Sequence, residues 1–539
     1  MSESGNDKRK IALPLVLTLG IAVGMLIGVN LKSSGTWSGG STNQKLREVL
    51  SLIERNYVDE TVPDDLVDDA IEHMLGKLDP HSVYISASDR EAANEDLRGN
   101  YEGIGIEFSI FRDTLTVVTP LSGGPSENAG LLSGDKIVKV GEKNIAGVGL
   151  TNAEVYKLLK GPSGTQVSLQ VLRRKEIIDF TIERAKIPQF SVDVSYMIDK
   201  ETGYIKINRF ASTTYQEFYD ALYKLKSKGM KKLILDLQGN PGGYMDEATE
   251  LADEFLPEGR KIVYTKGKNG HFAQNVDATS SGFFEKGELI VLVNEGSASA
   301  SEILAGALQD NDRALLVGRR TFGKGLVQNP FSLKDGSELR LTISRYYTPS
   351  GRSIQKPYGD DFSYAEDLDN RFKRGEFFHS DSIKFNDSLR YKTLGGRSVY
   401  GGGGIMPDYF VPLDTTQNLS LLNDLYGSST IQEYSLNYSE QNRKRLEDIG
   451  LDQYLTSFQV NDEMLSDLMN MAVRNGVKYK KEDFSAGKDI IRIHVKAQIA
   501  RKIWNNDGFY PVINTLNESL QQAIKIFETG TQEILNIKR

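Results

Sequence analysis

The stretch GRRTFGKG, from Gly318 to Gly325, decides which fold the centre of this chain can have. Its G-x-x-x-x-G-K spacing is that of a phosphate-binding loop, but Gly325 stands where such a loop carries the Ser or Thr that holds magnesium. A phosphate-binding loop also leads directly into a helix, whose N-terminal N–H groups hold the anion. Here the chain continues as LVQNPFSLKDGSELRLT, with turn signals followed by the alternation of a strand. Nucleotide binding is therefore disfavoured, and Lys324 needs another partner.

The candidate partner lies upstream, in VNEGSASASEILAGALQDN. Small residues crowd the segment between a predicted buried strand and a predicted helix, so a hydroxyl can sit exposed at the corner. Ser299 falls near the start of that helix, where unpaired N–H groups and the helix dipole favour developing negative charge. An equally good interpretation of this stretch alone is that Ser297, Ser299 and Ser301 are helix caps.

Composition narrows the function classes. The chain has 539 residues, enough for several domains, and a net charge of -8 without a basic stripe, which argues against a nucleic-acid binder. It contains no cysteine, which excludes thiol nucleophiles, disulfides and Cys-ligated zinc. None of its five histidines forms the i, i+4 pair of a helical metal site. No metal or organic cofactor is predicted, and the partners are expected to be proteins, peptides or small molecules.

The N-terminus predicts a membrane anchor. Three basic residues precede an uncharged run from Ile11 to Leu31, which as a helix reaches about 30 Å and crosses a bilayer. A cleaved signal peptide is the alternative, because a basic region and an apolar stretch serve both. The basic flank at 1–10 should stay cytoplasmic, so that everything after the anchor lies on the far side of the membrane.

Four regions follow the Ser/Gly-rich linker at 32–42. Residues 43–98 have helical spacing, and residues 99–187 are short strands separated by Gly, Pro and Asp turns, with one helix. Residues 188–414 alternate buried strands with helices, which indicates a parallel α/β sheet. Residues 415–539 are mostly helical. The predicted fold is therefore a multidomain α+β and α/β protein.

Several ordered motifs give the chain a specific resemblance. It resembles the carboxyl-terminal processing proteases, also called tail-specific proteases, of the S41 serine peptidases. The resemblance covers about 43–414, and its motifs are LDPHSVY (Leu78 to Tyr84), YEGIGIEF (Tyr101 to Phe108), DLQGNPGG (Asp236 to Gly243), GSASASEI (Gly296 to Ile303), ALQD (Ala307 to Asp310), TFGKGLVQ (Thr321 to Gln328), YYTPSGRSIQ (Tyr346 to Gln355) and GGGIMPD (Gly402 to Asp408).

The resemblance implies a crotonase-like protease core and a Ser/Lys dyad. The nucleophile falls on Ser299, the general base on Lys324, and Gln328 is expected to hold the lysine. A lysine has a reference pKa of about 10.4 and is a poor base until burial lowers it towards about 7 to 8. That shift requires the pocket to disfavour the ammonium by roughly 3 to 5 kcal/mol. Phe322 and Leu326 are candidate apolar neighbours.

The resemblance also supplies candidates for supporting roles. The NPGG segment corresponds to the family's oxyanion loop, which assigns the oxyanion donors to the backbone N–H groups of Gly242 or Gly243 and of Ala300. Asp310 is a possible supporting residue, although an Asp late in a helix is more often structural. Glu302 is expected to be structural. The family usually carries Arg where this chain has Gln238.

The β-rich segment resembles a PDZ domain, a β-barrel-like peptide-binding module. The resemblance implies that the loop Gly103, Ile104, Gly105 and Ile106 exposes backbone N–H groups to a terminal carboxylate while the peptide adds as a β-strand. Substrates are then unstructured proteins or peptides with apolar C-terminal tails. We expect this domain also to gate the dyad.

The complete prediction is a serine endopeptidase held by its anchor at the inner membrane of a cell, with the protease on the periplasmic or extracytoplasmic side, or secreted if the N-terminus is cleaved. A homodimer or higher homo-oligomer is expected through the terminal helices, and an adaptor protein is a possible partner. The alternatives are a non-catalytic PDZ scaffold and a ligand-binding protein, since related cores carry retinoids.

Overall fold

The computed structural model describes residues 42–121, 123–279, 282–359, 364–414 and 419–530. The predicted anchor at 11–31 lies outside these ranges. Within them, no helix is long and apolar enough to cross a membrane.

The described chain divides into two compact units, residues up to 74 and residues from 75 onward. Helix α1 (Thr42–Asn56) and most of α2 (Pro63–Gly76) form the described part of the first, as the helical spacing predicts. The second unit begins with strand β1 (Val83–Ile85) and helix α3 (Arg90–Arg98). Strand β1 was not predicted, because its partner lies about 255 residues further along the chain, at Glu338 to Arg340.

The β-rich segment forms a small barrel-like domain. Its main sheet has the order β3-β4-β5-β7-β8, with β6 pairing with β5 and a separate β2-β9 ladder. Inward-facing Ile, Leu and Val side chains fill it, and a capping box between Thr151 and Glu154 starts its helix α5. The elements are β2 (Asn100–Gly103), β3 (Ile106–Phe111), β4 (Thr114–Pro120), α4 (Pro125–Asn128), β5 (Lys136–Val140), β6 (Lys143–Asn144), α5 (Asn152–Leu159), β7 (Gln166–Arg173), β8 (Glu176–Glu183) and β9 (Ala185–Pro188).

The core is a six-stranded sheet of order β10-β11-β12-β15-β16-β21, antiparallel only between its first two strands. Its central strands are continuous apolar runs because both faces are covered. These elements are β10 (Val192–Met197), β11 (Thr202–Ile207), α6 (Thr214–Ser227), β12 (Lys232–Asp236), α7 (Met245–Asp253), β13 (Lys261–Gly267), β14 (Asn275–Asp277), β15 (Glu288–Val293), α8 (Ala300–Asp310) and β16 (Leu315–Gly318), with β21 (Tyr409–Phe410) after the strands below.

A second sheet stands beside the core, with the order β1-β18-β13-β14 and β17 paired to β18. Strand β17 directly follows the GRRTFGKG stretch, so the prediction of a strand in place of a phosphate-loop helix is confirmed. The remaining elements of the core are β17 (Leu326–Ser332), β18 (Glu338–Tyr347), α9 (Asp367–Lys373), β19 (Arg390–Lys392) and β20 (Ser398–Tyr400).

The C-terminal region is helical, as predicted, and it touches both other parts of the second unit. Its last helix, α15, covers one face of the core sheet through Leu520, Ala523 and Ile526. Ion pairs join the region to the β3–β4 hairpin, between Glu433 and Arg112 and between Arg501 and Glu107. The helices are α10 (Ser420–Gly427), α11 (Thr430–Ile449), α12 (Leu451–Ser457), α13 (Asp462–Arg474), α14 (Lys481–Ile513) and α15 (Glu518–Thr529).

Candidate active site

Ser299 occupies the corner between β15 and α8, as its sequence neighbourhood predicts. It is half-buried and precedes the first residue of the helix. Its backbone has φ 54° and ψ -114°. A non-glycine residue in such a sparsely populated conformation costs of order 1 to 3 kcal/mol and persists only where surrounding structure fixes it. Here the corner is held by two buried residues, Asn240 through its backbone carbonyl and Glu302 through its carboxylate.

The NPGG loop packs directly against this serine. A Cβ added at Gly242 would lie 2.7 Å from the Ser299 Cβ and 2.9 Å from the Ala300 nitrogen. Gly242 also has φ +100°, which disfavours any other residue. Glycine is therefore required here for a close approach between the loop and the serine.

Asn240 ties that loop to the serine corner. Its side chain accepts a hydrogen bond from the Gly242 N–H at 2.9 Å and donates one to the Ile207 carbonyl at 3.0 Å. Its carbonyl oxygen accepts the Ala298 N–H and the Ser301 hydroxyl, each at 3.0 Å. This fully buried residue thus holds the loop through its side chain and the helix start through its backbone carbonyl.

Two backbone N–H groups at the corner have no hydrogen-bond partner in the described ranges. The Gly242 N–H is engaged by Asn240, whereas no hydrogen bond from the N–H of Gly243 or of Ala300 is found among the described residues. The carbonyl of Gly242 accepts the Phe210 N–H at 2.9 Å, which sets the direction of the Gly242–Gly243 peptide. Beside Ser299 the corner thus holds two N–H donors for which the described part of the chain offers no acceptor.

Lys324 is half-buried in the segment before β17. Burial lowers the pKa of its ammonium, while the nearby carboxylates of Glu302 and Asp79 raise that pKa and Arg340 lowers it further. Its Nζ makes no hydrogen bond or ion pair with another residue in the described ranges, the Ser299 hydroxyl included.

Glu302 connects the two candidate dyad residues. Its carboxylate accepts the backbone N–H of Ser299 at 3.0 Å, of Lys324 at 2.8 Å and of Gly323 at 2.8 Å, and it also accepts the Thr321 hydroxyl. The side chain is fully buried, and this burial raises the pKa of Glu302 to about 7 although the four hydrogen bonds lower it. Glu302 thus holds the backbones of both candidate residues.

Tyr346 of β18 makes a second connection. Its buried hydroxyl lies 2.6 Å from the carbonyl oxygen of Lys324 and 3.2 Å from that of Ser299. The backbones of Ser299 and Lys324 are therefore bridged twice. Glu302 binds their N–H groups, and the Tyr346 hydroxyl binds their carbonyl oxygens.

The LDPHSVY motif contributes Asp79 and His81, which lie near Lys324. Asp79 holds the Ser82 hydroxyl at 2.7 Å and the Thr342 hydroxyl at 3.1 Å. His81 hydrogen-bonds to the Tyr364 hydroxyl at 2.8 Å, and burial together with the charge of Lys324 lowers the pKa of His81 to about 4. His81 is therefore a neutral neighbour of the amine.

Gln328 and Asp310 have other partners than the dyad. The Gln328 amide donates to the Thr342 hydroxyl at 3.1 Å, and no hydrogen bond to Lys324 is found for it within the described part of the chain. Asp310 lies at the far end of α8, about 15 Å from Ser299 at 1.5 Å per residue. It forms an ion pair of 2.7 Å with Arg352, in which both side chains are fully buried.

The four predicted tail-binding residues line a small cavity in the β-rich domain. The walls are the Gly103–Ile106 loop, β3 and α5, and the cavity measures about 30 Å³. The carbonyls of Ile104 and Gly105 point inward, to the N–H groups of Ser126 and Leu121. The N–H groups of Ile104 and Gly105 have no acceptor among the described residues, which is the arrangement that an incoming carboxylate needs.

The chain is similar in sequence to known proteins. A probable CtpA-like serine protease of Staphylococcus aureus is 38% identical over 346 residues, which cover 63% of this chain and 68% of that protein. This chain belongs to the carboxy-terminal-processing protease family. Another member, the carboxy-terminal-processing protease of Bartonella bacilliformis, is 38% identical over 316 residues, covering 57% of this chain and 71% of its own.

Family models match four parts of the chain. Residues 201–361 match peptidase family S41, residues 103–183 a PDZ domain, and residues 29–89 the N-terminal domain of the activating protease CtpB. Residues 421–505 match a family of unknown function. Among solved structures, the photosystem II D1 C-terminal processing protease is 30% identical over 59% of this chain and 85% of its own, with a TM-score of 0.35. The chain is thus a serine protease with a PDZ domain, and the predicted fold class is confirmed.

Proposed function

We propose that this protease cleaves peptide bonds with Ser299 as nucleophile and Lys324 as general base. The observation that carries the proposal is the shared bond of Ser299 and Lys324 to Glu302, which ties both backbones to one buried carboxylate. The lowered pKa of Lys324 supports it further, because a base must be neutral before it can take a proton.

The first half of the reaction acylates the serine. Lys324 Nζ takes the hydroxyl proton of Ser299 while Oγ bonds to the substrate carbonyl carbon. The negative charge on the carbonyl oxygen is received by the N–H groups of Gly243 and Ala300, with Gly242 giving the loop its close approach. When the C–N bond breaks, the Lys324 ammonium returns that proton to the leaving amine.

The second half releases the other product. A water molecule gives a proton to Lys324, its oxygen attacks the acyl carbon, and the ammonium then protonates Oγ as the ester bond breaks. Gln328 acts through Thr342 in this account, holding β17 and β18 in register beside the lysine.

We further propose that the PDZ domain selects substrates by an apolar C-terminal tail. The free N–H groups of Ile104 and Gly105 receive the terminal carboxylate, and the apolar wall of Ile106, Phe108 and Leu159 receives the last side chain. Location outside the cytoplasm, the anchor at 11–31 and self-association belong to the same proposal.

Digestion of unfolded casein by the full chain in mild detergent tests the dyad. We expect cleavage by the wild type, a loss of about a thousandfold or more in Lys324→Ala, and no change in Lys334→Ala, which removes an exposed lysine. Equal cleavage by the wild type and Lys324→Ala would refute the mechanism. Peptide binding without any cleavage by the wild type would favour a PDZ scaffold.

A further inference from the structure

A lysine stands at the rim of the predicted tail-binding cavity. Lys160 directly follows α5, and its ammonium lies 5.2 Å from the ring centre of Tyr101 and 5.4 Å from that of Tyr156. All three side chains line the cavity that the Gly103–Ile106 loop forms. A cation beside free backbone N–H groups is suited to bind a carboxylate.

A carboxylate of this chain already binds that lysine. Glu95, on helix α3, forms a hydrogen-bonded ion pair with the Lys160 ammonium. The Glu95 side chain is 18% exposed and that of Lys160 is 33% exposed, so the pair is partly shielded from water. The Glu95 charge also acts on Tyr101. Burial raises the pKa of Tyr101 to about 12, with smaller contributions from Tyr156 and Glu95.

We propose that Glu95 competes with the terminal carboxylate of a substrate for Lys160, so that tail binding displaces Glu95 and releases α3. The proposal rests on the proposed tail recognition. It adds Lys160 as a residue that binds the terminal carboxylate, and the Glu95–Lys160 ion pair as a restraint on α3. A peptide without a free carboxylate cannot displace Glu95.

Helix α3 contacts Arg340, whose charge acts on Lys324. Arg340 of β18 donates to the Asn94 side chain at 3.1 Å and to the Ala93 carbonyl at 3.2 Å, both on α3 beside Glu95. Arg340 is also the cation whose charge lowers the pKa of Lys324. Helix α3 is thus hydrogen-bonded to a cation whose charge acts on the proposed base.

Helix α3 also contacts the segment that is hydrogen-bonded to the NPGG loop. The last turn of α3 accepts two hydrogen bonds of 3.0 Å from Ser212, one from its N–H to Leu97 and one from its hydroxyl to Arg98. Two residues earlier, the Phe210 N–H donates to the Gly242 carbonyl. Helix α3 is thus in contact with the segments that hold both the proposed base and the proposed oxyanion loop.

Peptide binding to the full chain carrying Ser299→Ala, which removes cleavage, tests the competition. The probes are a fluorescein-labelled, uncharged decapeptide ending in Ala-Val-Val with a free carboxylate and the same peptide with a C-terminal amide. Anisotropy gives Kd for each in four backgrounds: no further change, Glu95→Gln, Lys160→Gln and both. Glu91→Gln, on the same helix and paired with Arg98, is the matched control.

We expect Glu95→Gln to tighten binding of the carboxylate peptide by about two- to fivefold, the range of a partly exposed ion pair. Lys160→Gln should weaken that peptide and cancel the effect of Glu95→Gln, while the amide peptide and Glu91→Gln show no change. A Kd that is insensitive to Glu95 and Lys160 overturns the competition but leaves tail recognition standing. If neither peptide binds, the competition and the tail recognition are both overturned.

Cleavage of a short, amide-ended reporter peptide tests the release of α3. In the chain with Ser299 intact, the carboxylate decapeptide should change the reporter rate of the wild type, and Glu95→Gln should change that rate in the same direction without the decapeptide. A wild-type rate unaffected by either change would show that the restraint on α3 has no catalytic consequence, and that part of the proposal would be wrong.

Discussion

The carboxylate of Glu302 accepts the backbone N–H of Lys324 at 2.8 Å, although the two residues lie on different segments of the core. The same carboxylate accepts the N–H of Ser299, so the geometry of the proposed dyad depends on a side chain that touches neither reacting atom. A buried acid in this position makes both stability and geometry depend on its protonation.

Replacement of Glu302 by Gln should change how stability depends on pH. Burial raises the pKa of Glu302 from 4.5 to about 7, so the folded protein holds this proton more tightly than the unfolded chain. The contribution to the free energy of unfolding is therefore fully present below pH 4.5 and is lost as pH rises through about 7, up to about 3 kcal/mol. Urea unfolding of the wild type and Glu302→Gln at pH 5 and pH 8 checks this; parallel pH dependences in the two proteins would contradict it.

Charges around Lys324 should move the acidic limb of the rate profile in opposite directions. Arg340 lowers the pKa of Lys324 and Asp79 raises it. In Arg340→Gln less of the Lys324 amine is neutral at a given pH, so the acidic limb of kcat/KM should shift to higher pH. In Asp79→Asn more of the amine is neutral, so the limb should shift to lower pH. Lys334→Gln serves as the control, and shifts of the same sign in both variants would refute the assignment.

Loss of Asn240 should disorganise the loop that packs on the serine. Asn240→Ala leaves the Gly242 N–H without its acceptor and removes the tie to Ile207. We expect kcat to fall by about 10- to 1000-fold with a smaller change in KM, and the free energy of unfolding to fall by about 1 to 3 kcal/mol. Asn144→Ala, in an exposed position, should change neither. A variant with normal kcat would remove this loop from the mechanism.

Asp310 should matter for stability and not for chemistry. Asp310→Asn leaves the buried guanidinium of Arg352 without its counter-charge, a loss of about 3 to 5 kcal/mol. Thermal unfolding should therefore shift downward while kcat per active site, measured by titration with an active-site label, stays close to the wild-type value. A variant of normal stability and lost activity would instead give Asp310 a catalytic role.

The local parts of the site could be predicted from the sequence. The position of Ser299 at a strand–helix corner follows from residue types a few positions apart, whereas Gly242 was assigned from the resemblance of the NPGG segment. The bridge from Glu302 to Lys324 spans 22 residues, and the contact of Asp79 with Thr342 spans 263, so no periodicity reveals them. The only signal was the LDPHSVY motif itself, whose conspicuous Asp and His fit no nearby element.

The partner of Gln328 illustrates the same limit. The family resemblance assigns Gln328 to hold Lys324, which implies a direct bond between the two side chains. In a strand, however, side chains alternate between faces and the register of the pairing decides their partners. The β17–β18 pairing sets Gln328 opposite Thr342, and the amide bonds there. Likewise, Gln238 is held by Asn517 and Ser519 beside α15, a contact that required knowing where the C-terminal helices lie.

The most direct test of the central claim is covalent labelling of the full chain with a peptidyl phosphonate ester, followed by mass spectrometry as a function of pH. We predict a single adduct at Ser299 whose rate of formation rises with pH as Lys324 loses its proton, and whose formation nearly ceases in Lys324→Ala. Labelling at another residue, or labelling of Ser299 at the wild-type rate without Lys324, would contradict the account.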